Sequence, residues 1–200
     1  MTRYIRQIPV IGADTQGRLS AAKVLVVGAG GLAAPVLQYL VGAGIGDIRL
    51  VDPDRVDLSN LHRQTLFRMA DLGAPKVHAA AAHLTQLNPD CKVEAIQQTL
   101  DPANVASLCD GMGIVLDCAD SFAVSYTLSD YCKAQTLPLI SASVTGTTGY
   151  VGGFCGPAPS LRAVFPDLPA RAGNCAEVGV LGPMVGLLGR SEERRVGKEC

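Results

Sequence analysis

Apolar residues arrive along this chain in two rhythms. Val24-Leu25-Val26-Val27, Ile48-Arg49-Leu50-Val51 and Ile114-Val115-Leu116 are short, nearly unbroken runs, the pattern of strands buried on both faces. Between them the spacing lengthens to three or four. Leu32, Val36, Leu40 and Ala43 predict a helix over 32–43, with Pro35 tolerated in its first turn and Gly44 just past its end. Val77, Ala81, Leu84 and Leu87 predict another, starting near Pro75 and ending at Asn88-Pro89. The same reading gives a strand over 91–96, a helix over 102–109, a strand over 114–117, a helix over 122–134 and a strand over 137–143. Strand and helix alternate, which implies a parallel sheet with helices on both faces.

The ends of the chain depart from this rhythm. Tyr4 to Val10 reads as a short helix or arm carrying Arg3 and Arg6, and Asp14 to Leu19 as polar and turn-rich. Thr145 to Phe154 alternates glycine with bulky residues and reads as a turn followed by an antiparallel strand. The fold class is therefore α/β: a Rossmann-like, doubly wound, mostly parallel sheet with an antiparallel extension. Pro157 to Gly173 carries four prolines and reads as a long loop, and Gly182-Pro183 opens a short apolar helix start over 184–188. From Arg190 the composition turns abruptly charged. The domain is thus expected over 1–189, with 190–200 a disordered or foreign tail.

Composition narrows the class. Two hundred residues, 48% hydrophobic and 18% charged, describe a chain that builds one sizeable core. A net charge of −1 gives no global attraction to nucleic acid or anionic membrane. Seven cysteines without a Cys-x-x-Cys pair fit a reducing compartment, and no run approaches membrane-spanning length; a cytoplasmic protein is expected. Cys91, Cys109, Cys118 and Cys132 read as small core hydrophobes.

The first strand runs into Gly28-Ala29-Gly30-Gly31-Leu32-Ala33, then a helix, then a second strand ending in Asp52. Gly28 permits a tight turn, Gly30 lets backbone approach a phosphate, and Ala33 lets the helix pack close on the strand. The helix start suits an anion, and Asp52 is placed to accept hydrogen bonds from a ribose. NAD, FAD or ATP all fit this unit. The polar segment 58–64, which includes Ser59, Asn60, Arg63 and Gln64, is rich in groups that bind phosphate or sugar. Lys76 stands in the first turn of its helix, against the helix dipole, a placement that favours a nearby anion. Asp117 to Ser121 closes the fourth strand, so Gly28–Gly31, Asp52 and Asp120 share the carboxyl edge of the sheet, where ligands bind in this architecture. Asp54 and Asp57 read as loop-capping or solvated, Asp117 as fixing its strand end, and His62, His78 and His83 as no ligand set.

Taken in order, Arg3-Tyr4-x-Arg6-Gln7, Gly28-x-Gly30-Gly31-Leu32, Asp52-x-Asp54, Ser59-Asn60-Leu61-x-Arg63-Gln64, Pro75-Lys76, Asp117-Cys118-x-Asp120 and Cys175-x-Glu177-x-Gly179-Val180 resemble the MoeB/ThiF/HesA family, bacterial relatives of ubiquitin-activating enzymes. The resemblance implies adenylation by ATP of the C-terminal glycine of a ubiquitin-like sulfur carrier ending in Gly-Gly. It implies that Gly31 offers backbone to the phosphates and that Asp52 holds the ribose. Asn60 and Arg63 would grip the triphosphate, Lys76 the α-phosphate, and Asp120 Mg²⁺. It further implies a homodimer in which Arg6 enters the neighbouring subunit's site, and it places Cys175 where some members form a covalent link to the carrier. Many members bind zinc through two Cys-x-x-Cys pairs; Ser160 and Ala163 stand where the first pair would be, so no zinc is expected. Three other readings remain: adenylation of a different carboxylate, such as one on a modified tRNA base; a binding-only member; and a nicotinamide-dependent oxidoreductase. The last leaves Asn60, Arg63, Lys76 and Asp120 without a task.

Overall fold

A computed structural model describes residues 3–166 and 179–193. The chain begins with α1 (Ile8–Ile11) and α2 (Ala13–Ala21), then alternates β1 (Lys23–Val27), α3 (Ala33–Ala43), β2 (Asp47–Val51), α4 (Lys76–Leu87), β3 (Lys92–Ile96), α5 (Val105–Cys109), β4 (Ile114–Asp117), α6 (Phe122–Ala134) and β5 (Leu139–Thr145). It continues with β6 (Thr148–Phe154), α7 (Leu161–Val164) and α8 (Gly182–Glu193). Six strands form one sheet in the order β3-β2-β1-β4-β5-β6. All neighbours are parallel except β5 and β6, which pair antiparallel from Leu139 opposite Phe154 to Thr145 opposite Thr148. This is the doubly wound sheet with an antiparallel extension that the apolar rhythm predicts, and its strand order reverses between β1 and β4.

The continuous apolar runs serve two cores at once. On β1, Val24 and Val26 face α3, α4 and α8, while Leu25 and Val27 face α5 and α6. Ile48 and Leu50 of β2 join the first core, and Val51 joins the second. All four cysteines read as core hydrophobes are buried, at 5% exposure or less.

Several elements differ from the sequence reading. The polar stretch over 14–19 is helical, as part of α2. Only Gln16 on it is buried, so no apolar stripe announced the helix. On α4 the buried apolar residues are Val77, Ala79, Ala80 and Leu84, whereas Leu87 is exposed and Ala81 only half-buried. The loop expected over 157–173 contains α7, capped by the Ser160 side chain on the Ala163 amide; the residues beyond 166 fall outside the described part. α8 continues past Leu188 through Arg190 to Glu193, so the charged tail begins inside a helix.

Two sets of contacts fasten the periphery. The N-terminal arm clasps the C-terminal ends of α3 and α4. Gln7 and Gln16 both donate to Ala43 O, Arg3 donates to Leu87 O, and Asn88 donates to the Tyr4 hydroxyl. Across the molecule, α6 holds the segment over 156–165. Arg162 forms a fork on Asp130 at 2.8–2.9 Å, Lys133 donates to Gly156 O and Ala158 O, the Tyr126 hydroxyl donates to Phe165 O, and Leu161 N donates to Ser129 Oγ.

Candidate nucleotide site

The carboxyl ends of β1, β2 and β4 flank the point where the strand order reverses, and a cavity of about 260 Å³ opens there. Gly28 begins it. Its φ of +96° is left-handed, and a Cβ would stand 2.5 Å from Cys118 O, so only glycine lets β1 turn this tightly against β4. Gly30 is the opposite case. A Cβ there meets nothing nearer than Gln64 Nε2 at 3.8 Å, and Gly30 lines the cavity, so its bare backbone faces open space. Gly31 is hemmed in by α8 and the Arg63 stem: a Cβ would lie 2.6 Å from Val185 and 3.3 Å from Arg63 Cγ.

Asp52, at the end of β2, accepts from the Ala29 amide with one oxygen and from the Asp54 amide with the other, each at 2.7 Å. Burial pushes its carboxyl above the usual value, against the lowering pull of the Ala29 amide, Lys76 and the Asp54 amide. Each oxygen retains a lone pair for a ligand hydroxyl. Lys76, the first residue of α4, is buried in the wall, and its ammonium meets Asp54 at 2.8 Å. Asp54 was read as capping or solvated; it is exposed, yet it is this lysine's partner. Gln64 is 3% exposed, and its Oε1 has no hydrogen-bond partner among the described residues. A buried acceptor left open beside a cavity marks a place where a ligand or water donor belongs.

From the far side, Asp120 and Ser121 follow β4, and Asp120 has no side-chain partner among the described residues. Asp117 does fix the strand end. It accepts from Ser141 Oγ at 2.7 Å and the Ala119 amide at 3.2 Å, and full burial raises its carboxyl to about 6.

The expected site residues separate into four groups. Gly28, Gly30, Gly31, Asp52, Arg63, Gln64, Lys76, Asp120 and Ser121 are brought together around the cavity. Ser59 and Asn60 are not in its wall. The Ser59 hydroxyl and amide both go to Asp57, which caps the short 3₁₀ turn Leu58–Asn60, and the hydroxyl's hydrogen bond holds the Asp57 carboxyl below its usual value. The Asn60 carbonyl instead orients Arg63 and Gln64 by accepting from both their amides. Arg6 rides on the arm at the amino end of the sheet, opposite this cavity. Cys175 lies outside the described residues.

Sequence reasoning missed the remaining walls. Gln98 to Leu100 follow β3, and Ser143 to Thr145 end β5. The rule that placed Asp52 and Asp120 at strand ends applies equally to these two strands. Val180 and Val185 also line the cavity, and no local signal in the sequence placed α8 there.

The sequence profile of the ThiF family matches residues 3–193. The chain belongs to the ThiF family. Among relatives of this ThiF-family chain, the SAMP-activating enzyme E1 of Haloferax volcanii is 38% identical over 193 residues, covering 94% of this chain and 72% of that protein. The adenylyltransferase and sulfurtransferase uba4 of Pyricularia oryzae is 43% identical over 200 residues. There the chain covers 41% of its length, so it spans less than half of this longer relative. Among solved structures, Escherichia coli MccB with MccA-N7isoASN superposes with a TM-score of 0.86 at 24% identity, over 98% of this chain and 63% of that one, a likeness of fold.

Proposed function

We propose that this chain adenylates a carboxylate with ATP, releasing pyrophosphate, and that the carboxylate is the C-terminal glycine of a ubiquitin-like sulfur-carrier protein. The observation that carries this reading is the meeting around one cavity of a bare glycine backbone at Gly30, the buried Lys76, Arg63, and Asp120, which has no side-chain partner among the described residues. Attack of a carboxylate on an α-phosphate asks the protein for positioning and charge neutralisation more than for covalent chemistry. The names of the relatives, an activating enzyme and adenylyltransferases, support the same class.

Each residue has a part in that reaction. Asp52 accepts from the ribose, and the amides at the start of α3 face the phosphates. Lys76 donates to the α-phosphate, where charge builds as the carboxylate attacks. Arg63, a planar fork, takes oxygens of the departing pyrophosphate. Gln64 Oε1 accepts from a ligand donor. The residues present fit Mg²⁺, which needs only one or two carboxylates beside phosphate oxygens; Asp120 would hold it, and it would supply charge neutralisation at the phosphates. Ser160 and Ala163 offer no thiolate, so the residues at that position do not fit the family's zinc site. Because the N-terminal arm sits at the opposite end of its own sheet, Arg6 can serve a cavity only in a second copy, which favours a homodimer. We place the protein in the cytoplasm; Cys175 stands at the position where a covalent link to the carrier would form.

ATP–pyrophosphate exchange with Mg²⁺, with and without carriers ending in Gly-Gly, tests this reading beside Lys76→Ala and Asp120→Ala. Carrier-dependent exchange lowered by about 100-fold or more in both variants, yet still measurable, is expected. Folded protein that binds ATP but exchanges with no carrier would point to another carboxylate or to binding alone.

A further inference from the structure

We infer that Asp54 is a positioning residue for the adenylation step: it holds the Lys76 ammonium extended and aimed into the cavity. The inference rests on the adenylation reading. The Lys76 side chain is 7% exposed and that of Asp54 is 61% exposed, yet Nζ and Oδ2 stand 2.8 Å apart. An ion pair with one member in water adds little stability. What distinguishes this one is how firmly Asp54 is placed.

Its amide donates to Asp52 Oδ1 at 2.7 Å, and its carbonyl accepts from the Lys76 amide at 2.9 Å. The next residues continue the clip. Arg55 bridges Pro75 in antiparallel fashion, and the Val56 amide donates to Ala74 O at 2.9 Å. One short ribbon therefore sets both ends of the lysine: its Cα at the first turn of α4, and its ammonium against the carboxylate.

Lysine is a long chain with rotatable bonds, and its ordering costs side-chain entropy. Asp54 imposes that order before substrate arrives. It also offsets the unfavourable meeting of a cation with the positive end of a helix. An ammonium has three N–H donors. Asp54 takes one, and two remain for phosphate oxygens. Asp52 and Asp54 are joined through the Asp54 amide, so the ribose acceptor and the lysine that answers the α-phosphate belong to one hydrogen-bonded unit.

A double-mutant cycle on the full chain tests this, with carrier-dependent ATP–pyrophosphate exchange as the rate and direct ATP binding measured separately. Asp54→Ala is expected to lower kcat by roughly 10- to 100-fold with ATP affinity changed less than about threefold, since the lost contact matters where charge develops. In a Lys76→Ala background the same substitution is expected to cost nothing further, because two residues acting through one group are not additive. Asp54→Asn, which keeps an acceptor without the charge, should fall between. Effects that multiply in the double variant, or a wild-type rate in Asp54→Ala, would overturn the proposal. A second readout stands apart from turnover: the ¹⁵N signal of the Lys76 ammonium should be visible in the wild type, because the ion pair slows its proton exchange, and lost in Asp54→Ala. If the wild-type chain shows no exchange, the adenylation reading fails by itself. The ammonium signal still judges Asp54, and one unchanged by Asp54→Ala would refute its hold on the lysine.

Discussion

Arg162 and Lys76 are both cations held by an aspartate at 2.8 Å, and they live in opposite surroundings. Arg162 and Asp130 are each about half exposed, at 53% and 50%. Around them on α6 the polar groups find partners: Lys133 on two carbonyls, Tyr126 on a third, and Ser129 on an amide. At the carboxyl edge of the sheet, Lys76, Asp52, Gln64 and Asp117 are all less than a tenth exposed, and Gln64 Oε1 has no partner among the described residues. Polar groups fully paired in water act as fasteners worth little each. Buried groups left with open valences cost stability, and such groups gather where a ligand completes them. The first region holds a segment down, and the second is built for something absent from the bare chain.

Three substitutions sharpen that contrast. The largest effect on binding with the least on folding should come from Gly30→Val. The fold leaves room there, so the thermal midpoint should stay close to wild type. The new side chain occupies the approach to the helix start, and ATP affinity measured by calorimetry should fall by about tenfold or more. Wild-type affinity in a folded Gly30→Val protein would remove the glycine turn from the binding site.

Asp117 tests the burial side of the contrast. Its carboxyl, raised to about 6 by burial, favours the folded state while protonated. That contribution is complete below the ordinary aspartate value of 3.8 and is lost as the pH rises through 6. Asp117→Asn lacks this dependence. Urea unfolding at pH 4.5 and at pH 7.5 should therefore show the variant gaining on the wild type as the pH rises, by up to about 2 kcal/mol. Parallel pH dependences in the two proteins would refute the assignment. The smallest effect belongs to the exposed pair: Arg162→Ala should barely move the urea midpoint in the same unfolding assay and leave ATP affinity untouched.

The centre of the sheet was readable from the chain because its inner strands are buried on both faces, and an unbroken apolar run then carries the message residue by residue. Helix α2 was not readable, because it buries one glutamine and sets a single leucine, Leu19, against the core instead of an apolar stripe; hydrogen bonds from Gln7 and Gln16 to Ala43 O hold it, and these appear only once the chain is folded. In the site, Gly28, Asp52 and Asp120 were legible from their order after strands. The roles of Ser59 and Asn60 were not, since a polar residue in a turn serves a ligand or its own turn equally well by sequence; here the Ser59 hydroxyl donates to Asp57 and the Asn60 side chain to Ser59. Asp54 illustrates the same ambiguity in reverse. Its carboxylate is exposed, as expected for a loop, and its neighbour 22 positions on is what gives it meaning.

The glycine turn also depends on the other end of the chain. Val185 of α8 presses on Gly31, a Cβ on Gly182 would stand 2.7 Å from His62 O, and one on Gly189 would stand 2.3 Å from Leu32 O. These contacts join positions roughly 150 residues apart for Gly31 and Val185, among the longest loops the chain closes and thus the slowest kind of contact to form. The β1–α3–β2 unit can assemble from neighbours, but its turn acquires a rigid back wall only when α8 docks. On a ribosome that order is enforced, because α8 emerges after every other described element of this unit. Competence to bind nucleotide then waits on the docking of α8, well after the glycine turn itself has been made.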